Sequence, residues 1–199
     1  MRFCLGVAAA LLALLPAPAG AARSEVYASA GIVAPYGPYP SYRFNAELLG
    51  YDRGSVRTDF IGELGYLRAV NWWLTVGPVA RFYVGRLSAP YDGVAPIDLY
   101  AASIAARFEA DLYPWPRLFL WFDPSIGVGS IGAEDARKTL GYWGLQGGLG
   151  IGTSRDKSGV RFRAGWGYAP TFVDVTPLAG THHFGGFMFM LDGVLHVGR

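Results

Sequence analysis

Two strand-like runs between residues 140 and 172, joined by the polar turn at 155–159, constrain the fold more than any other part of this chain. In the first run, apolar residues alternate with glycine and glutamine over 141–152. In the second run, aromatic and apolar residues alternate with Arg161, Arg163 and small residues. This two-residue period is that of a β-strand, whose successive side chains point to opposite faces. The sequence therefore predicts a hairpin with one bulky apolar face and one face of glycines and arginines.

Periodicity alone does not tell which of these faces lies inside a closed sheet. A soluble barrel turns its apolar face inward, whereas an outer-membrane barrel turns it toward lipid. The small residues favour the membrane barrel, because glycine in a narrow interior leaves room for Gln146, Arg161 and Arg163. An arginine facing lipid would cost roughly 2–4 kcal/mol at the midplane. We therefore expect the aromatic residues to face lipid and the arginines to face the interior, with a soluble periplasmic barrel as the alternative.

The N-terminal segment has the pattern of a secretory signal peptide. A positive charge precedes an apolar run at 3–15, prolines follow, and 19–21 form a small-residue cleavage site. The apolar run is too short to span a membrane as a helix. We expect residues 1–21 to be removed on export, leaving 22–199 as one barrel domain. The only cysteine, Cys4, falls in the signal, so the mature domain should have no disulfide and no cysteine ligand.

The composition narrows the class of protein further. Hydrophobic residues make up 52% of the chain and charged residues only 16%, which is low for a surface that mixes both signs of charge to stay soluble. Apolar residues that are abundant yet dispersed are typical of strands that cross a membrane as a barrel. The formal net charge of only +2 argues against a nucleic-acid partner.

Eight alternating segments can be traced along the chain. They lie at 25–34, 56–68, 74–84, 99–113, 118–131, 141–152, 160–169 and 187–197. Residues 43–51 also alternate and could form a ninth strand or the upper part of a long hairpin; we favour the hairpin because single-chain bacterial barrels have even strand numbers. Pro78 and Pro124 interrupt two segments, and since proline removes a ladder hydrogen bond we predict a bulge at Pro78.

The connections between these segments alternate in length, as long external loops and short periplasmic turns do in outer-membrane barrels. The longer ones are 35–56, 88–97, 133–139 and 173–183, and the shorter ones are 70–73, 114–116 and 154–159. Aromatic residues near the segment ends are expected to lie at the two membrane interfaces. They are Trp72, Trp73, Tyr113, Trp115, Trp143, Tyr168 and Phe172.

Taken together, the signal, the eight segments and the glycine-rich stripe at 144–150 resemble the small bacterial outer-membrane β-barrel superfamily, in particular outer membrane protein A/W-like barrel domains. The resemblance covers the whole mature chain as a pattern. It implies an all-β fold, a closed antiparallel up-and-down transmembrane β-barrel of eight strands. It also implies an outer-membrane location in a Gram-negative bacterium, contact with outer-membrane lipid, and insertion by the barrel-assembly machinery. We expect a monomer.

The face expected to point inward carries charges of both signs in nearly equal number. Its members are Arg57, Asp59, Glu63, Arg81, Arg107, Glu109, Asp111, Asp123, Arg161, Arg163 and Asp192. An eight-stranded interior is just wide enough to be filled by side chains. We therefore expect a structural salt-bridged plug, with a narrow ion or solute pore as the alternative.

Catalysis is a further alternative, because a histidine beside a hydroxyl can support acyl transfer. His182 and His183 follow Thr181 in the last long connection, and His196 shares a face with Asp192. No motif of lipid-modifying acyl hydrolases or transferases is apparent around them. Adjacent histidines in a strand point apart, and no third ligand is evident. We expect no enzyme activity, no metal and no cofactor.

The segment at 36–42 is rich in tyrosine and proline and could form an adhesive surface, although ordinary turn chemistry explains it equally well. The sequence thus predicts an integral outer-membrane barrel with a structural or surface-interaction role. That role implies a surface ligand as a partner.

Overall fold

The computed structural model of the chain describes residues 23–34, 59–87, 96–114, 117–133, 136–154, 157–173 and 180–197. Its strands are β1 (Ser24–Ala34), β2 (Asp59–Ala69), β3 (Leu74–Leu87), β4 (Ile97–Pro114), β5 (Arg117–Ala133), β6 (Ala136–Gly152), β7 (Gly159–Tyr168), β8 (Pro170–Val173), β9 (Gly180–His183) and β10 (Phe187–Val197). Eight of them close into one barrel in the order β1-β10-β7-β6-β5-β4-β3-β2, and every pairing is antiparallel. The expected all-β, closed, eight-stranded up-and-down barrel is confirmed. No helix within these ranges is long and apolar enough to cross a membrane.

Side chains alternate between the interior and the exterior of the wall. In β10 the exposed and buried positions alternate from Phe187 through Leu195, as the two-residue period of a strand requires. The exterior carries the large apolar side chains; Phe60, Ile104 and Leu195, for example, are 64–65% exposed. The predicted assignment of the faces is confirmed, because the arginines are buried and the bulky apolar residues are outside.

The glycines of β6 leave space for larger side chains inside the barrel. A Cβ atom on Gly150 would overlap the ring of Phe119, and one on Gly148 would overlap the backbone of Ala164. On the outer face, by contrast, a Cβ atom on Gly141 would have its nearest heavy atom 4.0 Å away. The inward glycine stripe is therefore a packing requirement of the interior.

The connection between β5 and β6 is shorter than the sequence predicted. The loop expected at 133–139 is reduced to residues 134–135, because Ala133 pairs with Ala136 and the hairpin closes there. Arg137 and Lys138, which lie within the predicted connection, belong to β6. Arg137 is exposed on the outer face near the strand end, where a charged side chain keeps contact with water.

The bulge predicted at Pro78 is wrong. Pro78 pairs with Ala106 of β4 without a change of register. On its other side, β3 and β2 lack two residue pairs at the proline, but their register is the same before and after this gap. The proline therefore interrupts the hydrogen-bond ladder between β3 and β2, and β3 contains no extra residue at this position. Pro124 behaves in the same way, pairing with β6 in register. The register shift in the β4–β5 pairing lies instead between Asp111 and Tyr113.

The last long connection contains structure that the sequence reading missed. Strands β8 and β9 pair with each other over the segment predicted as a loop at 173–183 and just before it. They continue the β7–β10 hairpin, because Phe184 donates its backbone N–H to the carbonyl of Ala169 and Gly167 donates to Gly186. The strand signal was weak here because residues 180–183 lack the apolar alternation seen in the barrel strands.

Some expectations fall outside the described residues. These are the signal peptide at 1–21, the segment at 43–51 with its choice between a ninth strand and a hairpin, the surface segment at 36–42, Arg57 and Trp115. The expectation that Trp143 lies near a strand end is wrong, because Trp143 lies in the middle of β6.

The glycine stripe gives a direct stability test. We expect Gly150→Val to destabilise the barrel by about 1–3 kcal/mol, the usual cost of overpacking a filled interior, since the new side chain overlaps Phe119. The matched control is Gly141→Val on the outer face of the same strand, which should change the free energy of unfolding little. Urea unfolding followed by tryptophan fluorescence measures both, and equal destabilisation by the two variants would contradict the assignment of the faces.

Candidate functional site

The interior of the barrel is crossed by one connected set of ion pairs, which we call the interior ion-pair network. Within the described residues it joins five arginines to six carboxylates, contributed by every barrel strand except β6. Its members are Glu25, Glu63, Arg81, Arg107, Glu109, Asp111, Arg117, Asp123, Arg161, Arg163 and Asp192. Because strand alternation sends each of these side chains to the same side of the wall, closure of the barrel brings them together.

Arg107 lies at the centre of the network. Its Nε donates to Asp123 at 2.8 Å, its Nη2 donates to Glu63 at 3.0 Å, and its Nη1 donates to the hydroxyl of Tyr27 at 2.5 Å. Arg81 donates to the same two carboxylates, at 2.6 Å in each case. Two arginines and two carboxylates thus alternate in a compact square, and these charges are buried.

A second group lies toward the end of the barrel that carries the 70–73 turn, which we call the lower end. Arg117 donates to Glu109 at 2.6 Å, to Asp111 at 2.9 Å and to Glu25 at 3.1 Å. Arg161 donates through one nitrogen to Glu25 and Glu109, both at 3.0 Å. Arg117 meets Glu109 and Asp111 on the neighbouring strand β4. The contacts of Arg117 and Arg161 with Glu25, and of Arg161 with Glu109, join strands that are not neighbours in the wall and bridge the interior from side to side.

Asp192 and Arg163 connect the two groups. Arg161 lies 3.4 Å from Asp192, which is its register partner on β10. Arg163 donates to Asp192 at 2.8 Å and to Glu63 at 2.6 Å. A continuous path of alternating charge therefore leads from Asp111 at the lower end to Arg81 and Asp123 in the central square.

Aromatic rings fill the space between the guanidinium groups. The Arg107, Arg161 and Arg163 guanidinium carbons lie 5.2–5.6 Å from the centre of the Tyr27 ring. Arg117 lies 4.6 Å from the centre of Phe119, the ring that rests against the glycine stripe of β6. A cation held over a ring face gains electrostatic stabilisation, and more so where water is excluded.

The opposite end of the interior, the upper end, is lined mainly by apolar and aromatic side chains. Phe184, which precedes β10, points inward and packs against Tyr83 and Tyr142, with ring centroids 5.7 and 5.2 Å apart. A Cβ atom on Gly129 would overlap the Phe184 ring. Buried apolar residues surround this ring: Val33, Ile61, Ile97, Leu99, Ile131 and Met188. The interior thus consists of a charged part below and an apolar part above.

The structure brings together most of the charged residues singled out from the sequence. Arg57 lies outside the described residues. Asp59 points inward near the upper end and accepts a hydrogen bond from the Tyr83 hydroxyl. The other nine belong to the interior ion-pair network: Glu63, Arg81, Arg107, Glu109, Asp111, Asp123, Arg161, Arg163 and Asp192.

Two members of the network were missed in the sequence. Glu25 lies inside the predicted segment 25–34 and alternates with the outward Val26, so the two-residue period places it inward. Arg117 precedes the predicted segment 118–131 by one residue and shares its parity with the inward Trp121, so extending that segment by its period would have found it. Arg117 directly follows the predicted connection at 114–116, and its inward direction depends on β5 beginning at that residue.

The structure places the three histidines of the sequence in two different strands. His182 and His183 lie in β9, at register positions opposite Thr171 and Pro170. His196 lies opposite Glu25, and its backbone N–H donates to the Ser158 hydroxyl at 2.9 Å. Among the residues described, no group of three or more side chains that could hold a metal ion is found.

The geometry defines the class of protein: a small closed β-barrel with an apolar exterior and an ion-paired interior. No family model matches the sequence, and no curated protein matches it either. Among solved structures, the chain is similar to the crystal structure of Ail, the attachment invasion locus protein of Yersinia pestis. That match has 13% identity and a TM-score of 0.40, and it covers 88% of this chain and 97% of Ail. The same protein in complex with the heparin analogue sucrose octasulfate gives 13% identity, a TM-score of 0.42 and the same coverage.

The network predicts a large effect for a single buried arginine. We expect Arg161→Ala to destabilise the barrel by about 3–5 kcal/mol, because it leaves Glu25, Glu109 and Asp192 with fewer counter-charges away from water. Heat-modified gel migration and urea unfolding measure the effect.

The matched control for this variant is Arg86→Ala. The Arg86 side chain is 67% exposed and lies 3.7 Å from Asp98, and exposed pairs contribute roughly 0–1 kcal/mol. Unchanged gel migration and unfolding in Arg161→Ala would contradict a structural role for the network. Partial recovery in Arg161→Met/Glu109→Gln, where one carboxylate is removed together with the arginine, would show that the loss arises from unbalanced charge.

Proposed function

We propose that this chain is an integral outer-membrane β-barrel protein whose interior is a structural plug and whose role is carried by its outer surfaces. The observation that supports it best is the inversion of the barrel: charged side chains are buried while large apolar side chains are exposed. The proposal includes location in the outer membrane of a Gram-negative bacterium and insertion by barrel-assembly machinery. It includes neither a catalytic step nor a cofactor.

The exterior supports a lipid environment. Neighbouring outward positions in the middle of the wall are apolar, as in Leu64, Ala80, Ile104, Ile126 and Trp143, which follow one another across β2 to β6. A continuous apolar surface of this kind is a liability in water. In hydrocarbon it is the expected surface of a barrel, whose closed wall also leaves no unpaired strand edge.

The interior supports a plug rather than a conduit. Arg107 and Glu63 have side chains with 0% relative exposure, and the pairs around them reach across the barrel at hydrogen-bond distance. A permeating ion would have to separate these pairs and replace their hydrogen bonds with water. Above them, Phe184 and its apolar neighbours occupy the other half of the interior.

A substitution in the wall tests the membrane environment. Ile126 is 59% exposed in the middle of β5, and we expect Ile126→Arg to cost about 2–4 kcal/mol in lipid. The control is Trp72→Arg in the lower turn, where Trp72 is 87% exposed and the cost should be near zero to 1 kcal/mol because the position lies at the interface. Folding yield into phospholipid vesicles measures both. A barrel that works in water would instead fold equally well with either arginine and require no vesicles.

Conductance tests the plug. We expect planar bilayers containing the purified protein to show no current steps, because the ion-pair network crosses the interior. The variant Phe184→Ala opens only the apolar end and should also be silent. Regular current steps from the wild-type protein would contradict the plug and indicate a pore. Heat-modified gel migration must show that the inserted protein is folded.

A further inference from the structure

A row of charged side chains runs along the outer face of the barrel near its upper end. Arg86 of β3 pairs with Asp98 of β4, Asp98 pairs with Gly132 of β5, and Gly132 pairs with Arg137 of β6. These positions have the outward parity of the wall, so the two arginines flank one carboxylate on the exterior. None of them belongs to the interior ion-pair network.

The contacts within this row are loose. Arg86 Nε lies 3.7 Å from one Asp98 oxygen, and Arg137 Nη2 lies 3.5 Å from the other. The Arg86 and Arg137 side chains are 67% and 41% exposed. Ion pairs inside the barrel are mostly shorter, as in the 2.6 Å contact between Arg163 and Glu63. Each guanidinium group therefore approaches Asp98 only at 3.5–3.7 Å, and two arginines beside one carboxylate give the row an excess of positive charge.

The row marks the upper boundary of the apolar wall. One register step below it on β3 and β4, the outward residues are Val84 and Tyr100, and Tyr100 lies under Arg137 with its ring centre 5.1 Å from the guanidinium carbon. Two steps below on the same strands, they are Phe82 and Ala102. In a membrane, a charged row directly above an aromatic and apolar surface lies at the depth of the lipid headgroups.

We propose that Arg86 and Arg137 form a binding site for the phosphate of an anionic membrane-lipid headgroup, with its acyl chains lying along the apolar wall below. The planar guanidinium group presents paired donors that match phosphate oxygens, and such charge-assisted hydrogen bonds are strong. Asp98 lies within ion-pair distance of both side chains and competes with the phosphate for them. The site depends on the proposed function, since only an inserted barrel presents this row to headgroups.

The test uses the full-length mature protein folded in detergent, with EDTA present so that no cation bridges Asp98 to the lipid. Native mass spectrometry measures retention of phosphatidic acid and of diacylglycerol with the same acyl chains, which differ only in the phosphate. We expect wild-type protein to retain phosphatidic acid preferentially. Arg86→Gln/Arg137→Gln should lose roughly tenfold or more of that preference, as the removal of two charge-assisted hydrogen bonds implies.

Two further variants separate a binding site from a structural ion pair. Asp98→Asn should increase retention of phosphatidic acid, because it removes the competing carboxylate; a merely structural pair would give no gain. The matched control, Arg68→Gln/Lys157→Gln, removes the same charge from exposed positions at the lower end and should behave like wild type.

Several results would overturn this site. They are equal retention of both lipids by the wild-type protein, an unchanged preference in the double arginine variant, or binding of inorganic phosphate alone to wild type in place of lipid phosphate. Vesicle flotation keeps this failure distinct from failure of the proposed function. A protein that floats with vesicles but shows no phosphate preference contradicts only the site, whereas one that does not float contradicts the membrane barrel itself.

Discussion

The desolvated pairing of guanidinium and carboxylate groups is the constraint on which the rest of the structure depends. A buried charge without a partner is costly, so each interior arginine requires carboxylates within reach. Here the partners come from strands far apart in sequence, as with Glu25 of β1 and Arg117 of β5. Closure of the barrel between β1 and β10 brings such groups together, and the network in turn favours the register that lets them meet. A slip of one residue in any strand would send its charges to the outer face.

The space that the network occupies is set by residues without charge. Eight strands enclose little volume, and that volume must hold long arginines together with aromatic rings. Gly150 clears the position of Phe119, and Gly65 clears that of Tyr27, because a Cβ atom at either site would overlap the ring. These rings then lie beside the guanidinium groups of Arg117 and Arg107. The inward glycines of β6 thus leave the space that aromatic rings from other strands fill.

The outer surface follows from the same division of faces. With the charges inside, the wall presents an apolar belt on its exterior, and the charged side chains described on that exterior lie near its ends. The exposed Trp72 occupies the lower turn, and the row from Arg86 to Arg137 occupies the upper boundary. A filled interior leaves these boundary regions and the upper connections as the places where the protein can contact other molecules. This is why the proposed role lies at the surface.

The sequence by itself determined the strand segments and their two faces, because alternation is a local property that survives in each strand separately. It also determined the inward direction of residues such as Arg161 and Asp123. Tertiary structure alone decided which carboxylate each arginine meets, since those distances depend on register and closure. It also decided that Arg137 belongs to β6 and that Pro78 stays in register, because hydrogen bonds to neighbouring strands override the local preferences of charged residues and proline. The pairing of β8 with β9 likewise depends on tertiary structure, because these strands continue the β7–β10 hairpin and their residues show no periodic pattern of their own.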